Sequence, residues 1–472
     1  MLQTIALIAA LLGGLMLFPA VADFLAGNPD WQVFAVSAAA ILFTGGLVYS
    51  AMRKLKAELE LRQIFIFVPL IWFMACVIGA IPLFLSGLDL SLTDAFFESA
   101  SGFTTTGSTV LTGLDHLPPG ILLWRSMVQW IGGLGVVVMG LVLLPSMRSG
   151  GQQLFLLESS DRSEKPFAHA RLFAERIAMV YLLLTLACAI SYWMLGMSLF
   201  DAFNHAMTTV STGGYSTSDG SMGSFGTTAI LLTATVFMFL GGLPFIFLIR
   251  LAAGRFEKEV QIGYFIAMIA GAALAVLVTL VLAGEPASGK QIVHVLFNVV
   301  SIITTTGYAS EDYLTWGPAA IAVFFFLTFV GGCSGSTSGG YKQFRFVIVR
   351  QVIADSLAKT FRPHQVSRLK YGDRILDSEV VTSVMIFSFL YGGTFIIFAI
   401  IYGVLGLDFE TAISGSATAI ANVGPGIGSI IGPAGNFSTL SDPIKWMLCF
   451  EMIVGRLEIM SVYVLLVPSF WK

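Results

Sequence analysis

The chain reads as an all-α polytopic membrane protein, with four helix, re-entrant loop, helix repeats around one pseudo-fourfold pore and a two-helix hairpin ahead of them. Three observations predict this. Hydrophobic residues make up 56% of the 472 positions and charged residues 11%, and the apolar runs repeatedly reach membrane-spanning length. Short polar loops rich in Thr, Ser and Gly recur four times between apolar segments: Thr104-Thr105-Thr106-Gly107, Val210-Ser211-Thr212-Gly213, Thr304-Thr305-Thr306-Gly307 and Ala421-Asn422-Val423-Gly424. Finally, related residues recur at matched distances on both sides of those loops.

Taken in order, spans are expected near 3–22, 32–52, 64–86, 121–146, 176–197, 227–250, 260–283, 319–330 continuing after a break to about 355, 380–405 and 443–467. That makes ten. Segments near 92–103, 199–210, 291–303 and 408–420 are too short to cross, and each runs straight into one of the four loops, so they are expected to be re-entrant. The first helix has no basic residue ahead of it and no small-residue cleavage site, so it reads as a mature helix.

Twenty of the 25 Lys and Arg fall in four stretches. These hold Arg53, Lys54, Lys56 and Arg62; Arg148, Arg162, Lys165, Arg171 and Arg176; Arg250, Arg255 and Lys258; and Lys342, Arg345, Arg350, Lys359, Arg362, Arg368, Lys370 and Arg374. Such stretches face the cytoplasm and place both termini there. The other side carries Asp23, Asp30, Asp89, Asp115, Asp219, Glu285, Glu311, Asp312 and Asp408, either as ordinary loop polarity or as a surface that concentrates cations at an entrance.

Counting back ten residues from Gly107, Gly213 and Gly307 reaches Phe97, Phe203 and Phe297; the fourth copy has Ser414 there. Counting forward, the second helix of each unit carries Gly132-Gly133, Gly241-Gly242, Gly331-Gly332 or Gly455-Arg456. The expected units are a hairpin over 1–62, then repeats over 63–173, 174–258, 259–377 and 378–472, with charged cytoplasmic linkers at 147–175 and 351–378. Glycine lets a backbone leave helical geometry and turn its carbonyls toward a common axis, and a ring of neutral carbonyl dipoles replaces the hydration shell of a cation.

Residues Gly331, Gly332, Cys333, Ser334, Gly335, Ser336, Thr337, Ser338, Gly339 and Gly340 break the second helix of the third repeat. Irregular backbone at membrane depth is tolerated only where it is buried in protein or lines water. The stretch reads either as a movable loop that obstructs the pore or as a packed hinge. Arg456 is expected near the middle of the last helix, where an arginine costs about 2.5–3.5 kcal/mol. Its expected roles are to repel a permeating ion, to lower ion occupancy, to anchor the 331–340 loop by hydrogen bonds, or to join an interhelical ion pair. Enzyme chemistry finds no support: no paired embedded acids occur, and His116, His169, His205, His294 and His364 are scattered. Cys76, Cys188, Cys333 and Cys449 lie in apolar segments and read as packing residues.

The four loops, the Gly-Gly-Cys-Ser-Gly-Ser-Thr-Ser-Gly-Gly stretch at 331–340 and the Gly-Arg-Leu-Glu at 455–458 together resemble the Trk/Ktr/HKT superfamily of potassium transporters, closest to its bacterial TrkH/TrkG branch, over about residues 1–468. The resemblance implies potassium (and rubidium) uptake across a bacterial inner membrane, through a filter of backbone carbonyls gated by the 331–340 loop and Arg456. It implies no cofactor. In some plant members serine at the first filter glycine goes with sodium transport, so glycine at all four positions implies potassium preference. It also implies a homodimer in a lipid bilayer with a TrkA-like cytoplasmic nucleotide-binding ring as partner, and no role for nucleic acid. The rival expectation is symport coupled to protons or sodium, for which Glu98 is the one obvious embedded carboxylate.

Overall fold

The computed structural model describes residues 2–52, 61–142, 166–285, 288–364 and 368–472. Most of the 147–175 linker, with Arg148, Arg162 and Lys165, lies outside them, as do Arg53, Lys54, Lys56 and residues 365–367 of the second linker. The described chain is nearly all helical; its one two-stranded pairing, Lys370–Tyr371 with Arg374–Ile375, is a small hairpin in the 351–378 linker.

Helices α1 (Leu2–Leu15) and α2 (Leu17–Ala26) form one apolar span that packs on α3 (Trp31–Met52). The hairpin closes tightly because Gly45 presents no side chain to the Ala6 carbonyl, and Gly13 none to Ile41. Asp23 ends the span buried, and its Oδ1 accepts a hydrogen bond from the Gly120 amide at 2.6 Å, capping the start of α6 (Pro119–Val142) across the molecule. Asp23 and Asp30 are thus buried structural carboxylates, not part of an exposed acidic surface.

Each repeat then has an outer helix followed by a short one. The outer helices are α4 (Leu61–Leu85), α7 (Pro166–Met194), α11 (Val260–Leu282) and α15 (Ser378–Val404). The short ones are α5 (Leu92–Phe103), α8 (Leu199–Val210), α12 (Gly289–Ile303) and α16 (Phe409–Ala421). All four short helices start the same way. The side chains of Ser91, Ser198, Ser288 and Asp408 accept from the amides of Asp94, Asp201, Gln291 and Thr411 at 3.0–3.2 Å, and the Ser91 and Ser198 hydroxyls donate back to Asp94 and Asp201. The hydroxyl and amide of Thr411 hold the Asp408 carboxyl below the usual carboxylate range.

The second helices depart from expectation. Seven helices are long and apolar enough to cross a membrane among the described residues, or eight if one bent pair counts as a span. Of the four second helices only α6 runs unbroken. The expected 227–250 span divides into α9 (Thr228–Gly241) and α10 (Phe245–Ala252), bent by 103°. The cause is Gly242-Leu243-Pro244: proline has no amide to continue the ladder and its ring strikes the preceding turn. In the third repeat α13 (Pro318–Thr328) and α14 (Gln343–Phe361) flank the expected irregular stretch. In the fourth, after the single turn α17 (Gly428–Ile431), α18 (Asp442–Arg456) stops at Arg456, Glu458 takes φ 63°, and the short α19 (Ile459–Tyr463) follows. Arg456 is therefore the last residue of a helix, where its charge complements the helix dipole, and not a mid-helix residue.

The two largest apolar clusters form two lobes. One joins repeats 2 and 3 through residues such as Tyr181, Phe245, Phe265 and Phe297. The other joins the N-terminal hairpin to repeats 1 and 4 through Phe34, Phe97, Trp124 and Leu448. Large apolar side chains such as Leu282, Phe326, Phe389 and Val404 remain exposed on the outward faces, as a protein solvated by lipid requires.

Replacing the cap in Ser198→Ala is expected to lower stability by about 1 kcal/mol, read as a fall in thermal midpoint in detergent. Ser198→Asp, which keeps an acceptor, is expected to retain the wild-type value.

Candidate functional site

The ends of the four short helices converge. At the close of each the backbone alternates in hand. Thr104, Ser211 and Thr304 are right-handed at φ −75°, −74° and −78°; the next residues, Thr105, Thr212 and Thr305, take φ 52°, 52° and 58°, and Asn422 takes 56°. Two residues later come Gly107, Gly214, Gly307 and Gly424 at φ 86°, 80°, 78° and 110°. Alternating hand turns successive peptide groups the same way, so one side of the strand presents amides and the other carbonyls.

This pattern moves the second loop by one residue. The expected quartet ended at Gly213, but the left-handed glycine is Gly214, so Ser211-Thr212-Gly213-Gly214 is the counterpart of Thr104 to Gly107, and Val210 is the last residue of its helix. The residue ten before Gly214 is Asn204, buried like Phe97, Phe297 and Ser414, whereas Phe203 is 44% exposed. The paired caps carried the true register, since Ser91 to Gly107 and Ser198 to Gly214 are the same distance apart.

The loops meet in cyclic order. A methyl group built on Gly107 would strike the carbonyl oxygen of Gly213; on Gly214, that of Thr306; on Gly307, that of Val423; on Gly424, that of Thr106. All four separations fall below 3.0 Å, closer than real Cβ atoms approach. The ring of Thr106, Gly213, Thr306 and Val423 is thus closed loop to loop. Behind it, Gly132, Gly241 and Gly455 let three of the second helices touch the carbonyls of Phe103, Val210 and Ile420, in the last turns of their short helices.

Side chains one turn further back fix the strands that leave the ring. Glu98, His205 and Asn298 occupy one position in three repeats. Glu98 accepts from the Thr109 hydroxyl and the Val110 amide at 3.0 Å, His205 Nε2 lies 3.0 Å from Ser216 Oγ, and Asn298 Nδ2 donates to Ser310 Oγ at 2.8 Å. Ser414 does the same work in the fourth repeat, accepting from the Ile427 amide at 2.9 Å. Glu98 is further paired with Arg125 at 2.7 Å, and the Arg125 guanidinium lies 4.1 Å over the Tyr215 ring. Sequence reading missed Gln129 on α6. Its Nε2 donates to the Gly213 carbonyl at 2.6 Å and its Oε1 accepts from the Tyr215 amide at 3.0 Å.

The 331–340 stretch lies directly against the inner ends of the loops. Thr337 Oγ1 donates to the Val210 carbonyl at 3.1 Å and lies 3.2 Å from Thr212 Oγ1; the Gly339 amide donates to Thr305 Oγ1 at 2.7 Å; and Gly339 packs so close to the Ala421 carbonyl that no side chain fits. The break in repeat 2 holds its other side. The Gly242 carbonyl accepts from the Cys333 amide at 2.9 Å, the Gly241 carbonyl from the Thr337 amide at 3.3 Å, and the Phe245 amide donates to the Gly335 carbonyl at 2.9 Å. Ser334 and Ser336 are tied to Gln261 and to the Cys333 carbonyl, Gln343 bonds the Gly331 carbonyl and the Gly332 carbonyl, and Gly340 leads into Tyr341. Lys342 Nζ donates to the Ser338 carbonyl.

Arg456 is 5% exposed, and its Nε, Nη1 and Nη2 make no hydrogen bond among the described residues. The expected hydrogen bonds from Arg456 to the loop are therefore not formed here. Tyr181 and Lys342, from two other repeats, lie within electrostatic range of it. Glu458 pairs instead with Arg345, and Glu451 accepts from Tyr402 at 2.7 Å and Ser416 at 2.6 Å. The described residues contain no group of three His, Cys, Asp or Glu placed to hold a metal ion.

Comparison with known proteins agrees with this fold. Residues 30–472 match the family model TrkH, described as a cation transport protein. The chain is 41% identical to the Trk system potassium uptake protein TrkI of Halomonas elongata, covering 100% of this chain and 96% of that protein. It is 33% identical to TrkH of Escherichia coli K12, covering 100% and 98%. The crystal structure of the potassium transporter TrkH from Vibrio parahaemolyticus superposes with a TM-score of 0.90 at 32% identity, over 100% of this chain and 99% of that one. A multi-span, nearly all-helical chain matched over its whole length in sequence and in fold belongs to the TrkH family of cation transport proteins.

Proposed function

We propose that this protein takes up potassium across a bacterial inner membrane through a channel-like pore whose selectivity filter is the ring of four loops. The observation that carries this reading is the cyclic approach of Thr106, Gly213, Thr306 and Val423, each carbonyl lying against the glycine of the next loop. A potassium ion sheds water only where oxygens replace it at similar distance and field strength, and four matched loops of neutral carbonyls meet that condition. The short helices end at the ring, so their partially negative C-terminal ends favour a cation there. Relatives named as potassium uptake proteins support potassium as the ion, with rubidium as its close mimic.

The 331–340 stretch and Arg456 act as the gate. In this arrangement the loop touches the inner ends of three of the four loops, and a buried, unbonded guanidinium adds positive charge on the cytoplasmic side of the ring. Flow requires the loop to leave Val210, Thr212 and Thr305. The alternative, symport with protons or sodium, asks for a free carboxylate on the ion path. Glu98 is committed to Arg125 and to the strand leaving the ring, which favours the uncoupled pore. Both termini and the linkers 147–175 and 351–378 belong to the cytoplasmic face, where a TrkA-like nucleotide-binding ring docks on a homodimer.

Rubidium uptake into proteoliposomes, driven by membrane potential alone with no pH or sodium gradient, tests this. Wild-type protein is expected to take up rubidium. Arg456→Ala and Thr337→Val are expected to raise the basal rate severalfold, because each removes an obstacle below the ring. Uptake that appears only with a proton or sodium gradient contradicts the uncoupled pore and restores the symporter.

A further inference from the structure

The ring is not electrically uniform, and its one irregular corner is built by two neighbouring repeats. Position 106 has threonine in the first loop, and its counterparts are Thr306 and Val423, but the second loop has Gly213. The space a side chain would fill there is taken by Gln129: a methyl group built on Gly213 would meet Gln129 Cδ at 2.5 Å. The counterparts of Gln129, three residues before Gly241, Gly331 and Gly455, are Met238, Thr328 and Met452, so only the first repeat offers a carboxamide. Gln129 is fully buried, and both its polar ends are used on the second loop. Among the described residues no hydrogen bond reaches the carbonyls of Thr106, Thr306 or Val423.

We propose that Gln129 is a specificity-determining residue: by donating to the Gly213 carbonyl it weakens one of the four ring oxygens and biases the site toward the larger, more easily dehydrated alkali cation. This rests on the filter reading above. An oxygen that already accepts a hydrogen bond has less electron density to offer an ion. A weaker field favours potassium over sodium, because sodium gives up its water only to a stronger one. Removing the donor strengthens that corner and narrows the preference.

The test is the potassium-to-sodium preference of purified full-length protein in proteoliposomes, read as the concentrations of each ion that halve rubidium uptake. Gln129→Leu keeps the bulk without the donor, and is expected to reduce the preference about two- to tenfold, the weight of one neutral hydrogen bond. Gly213→Ala alone is expected to lose transport, since its methyl strikes Gln129. The pair Gln129→Ala with Gly213→Ala returns a methyl to the vacated space, and is expected to transport with the same reduced preference even if Gln129→Leu does not fold. Gly107→Ser serves as the control for the ring itself. If Gly107→Ser changes the preference and neither Gln129→Leu nor the pair does, the role of Gln129 is overturned while the filter stands. If none of them changes it, the filter reading falls and this inference with it.

Discussion

The constraint on which the rest depends is the closeness of four backbone turns. At Gly107, Gly214, Gly307 and Gly424 the next strand's predecessor carbonyl occupies the place of a side chain, and each glycine also carries a φ that other residues rarely adopt. Four turns brought that near need rigid support, and every repeat supplies it twice over. A side-chain cap fixes the start of each short helix, and Gly132, Gly241 and Gly455 bring three of the second helices against the short-helix ends. Polar anchors at Glu98, His205, Asn298 and Ser414 then hold the departing strands. The pseudo-fourfold plan is thus repeated in hydrogen bonds as well as in helices, although the residues that make them differ.

Departures from fourfold symmetry cluster just inside the ring, where three of the four second helices are interrupted. An interrupted helix leaves amides and carbonyls that hydrocarbon cannot satisfy, and each break here is answered by another. Gly241, Gly242 and Phe245 in repeat 2 pair with Cys333, Gly335 and Thr337 in repeat 3. The end of α18 sends Glu458 to Arg345 on α14. Groups held by a few exchangeable hydrogen bonds can be released and remade, which suits the gate proposed for this stretch. The buried Arg456, with no hydrogen-bond partner among the described residues, is the costliest group in this zone.

Hydropathy and loop composition made the helices, the four short segments and the 331–340 interruption legible, because burial in lipid acts on composition directly. Backbone continuity was less so. A 24-residue apolar window over 227–250 looks continuous to hydropathy, and only Gly242-Leu243-Pro244 marks the bend; the stop at Arg456 has no proline or glycine after it until Pro468, and Glu458 just beyond it meets Arg345. The second loop slipped by one residue because Phe203 imitated Phe97, while Asn204 does the packing. The Ser-x-x-Asp caps at 91 and 198 held the correct register in plain sight. Gln129 was invisible, since its meaning lies in a contact with Gly213 across two repeats.

The central claim is that the ring of Thr106, Gly213, Thr306 and Val423 carbonyls binds a dehydrated potassium-like ion. The most direct measurement is the anomalous scattering of rubidium in crystals of the full chain grown in rubidium salt. The account predicts a peak on the axis between the four loops, in contact with those oxygens and lost on exchange into sodium. A map with no peak in the ring, or with rubidium bound only at carboxylates elsewhere, would contradict it.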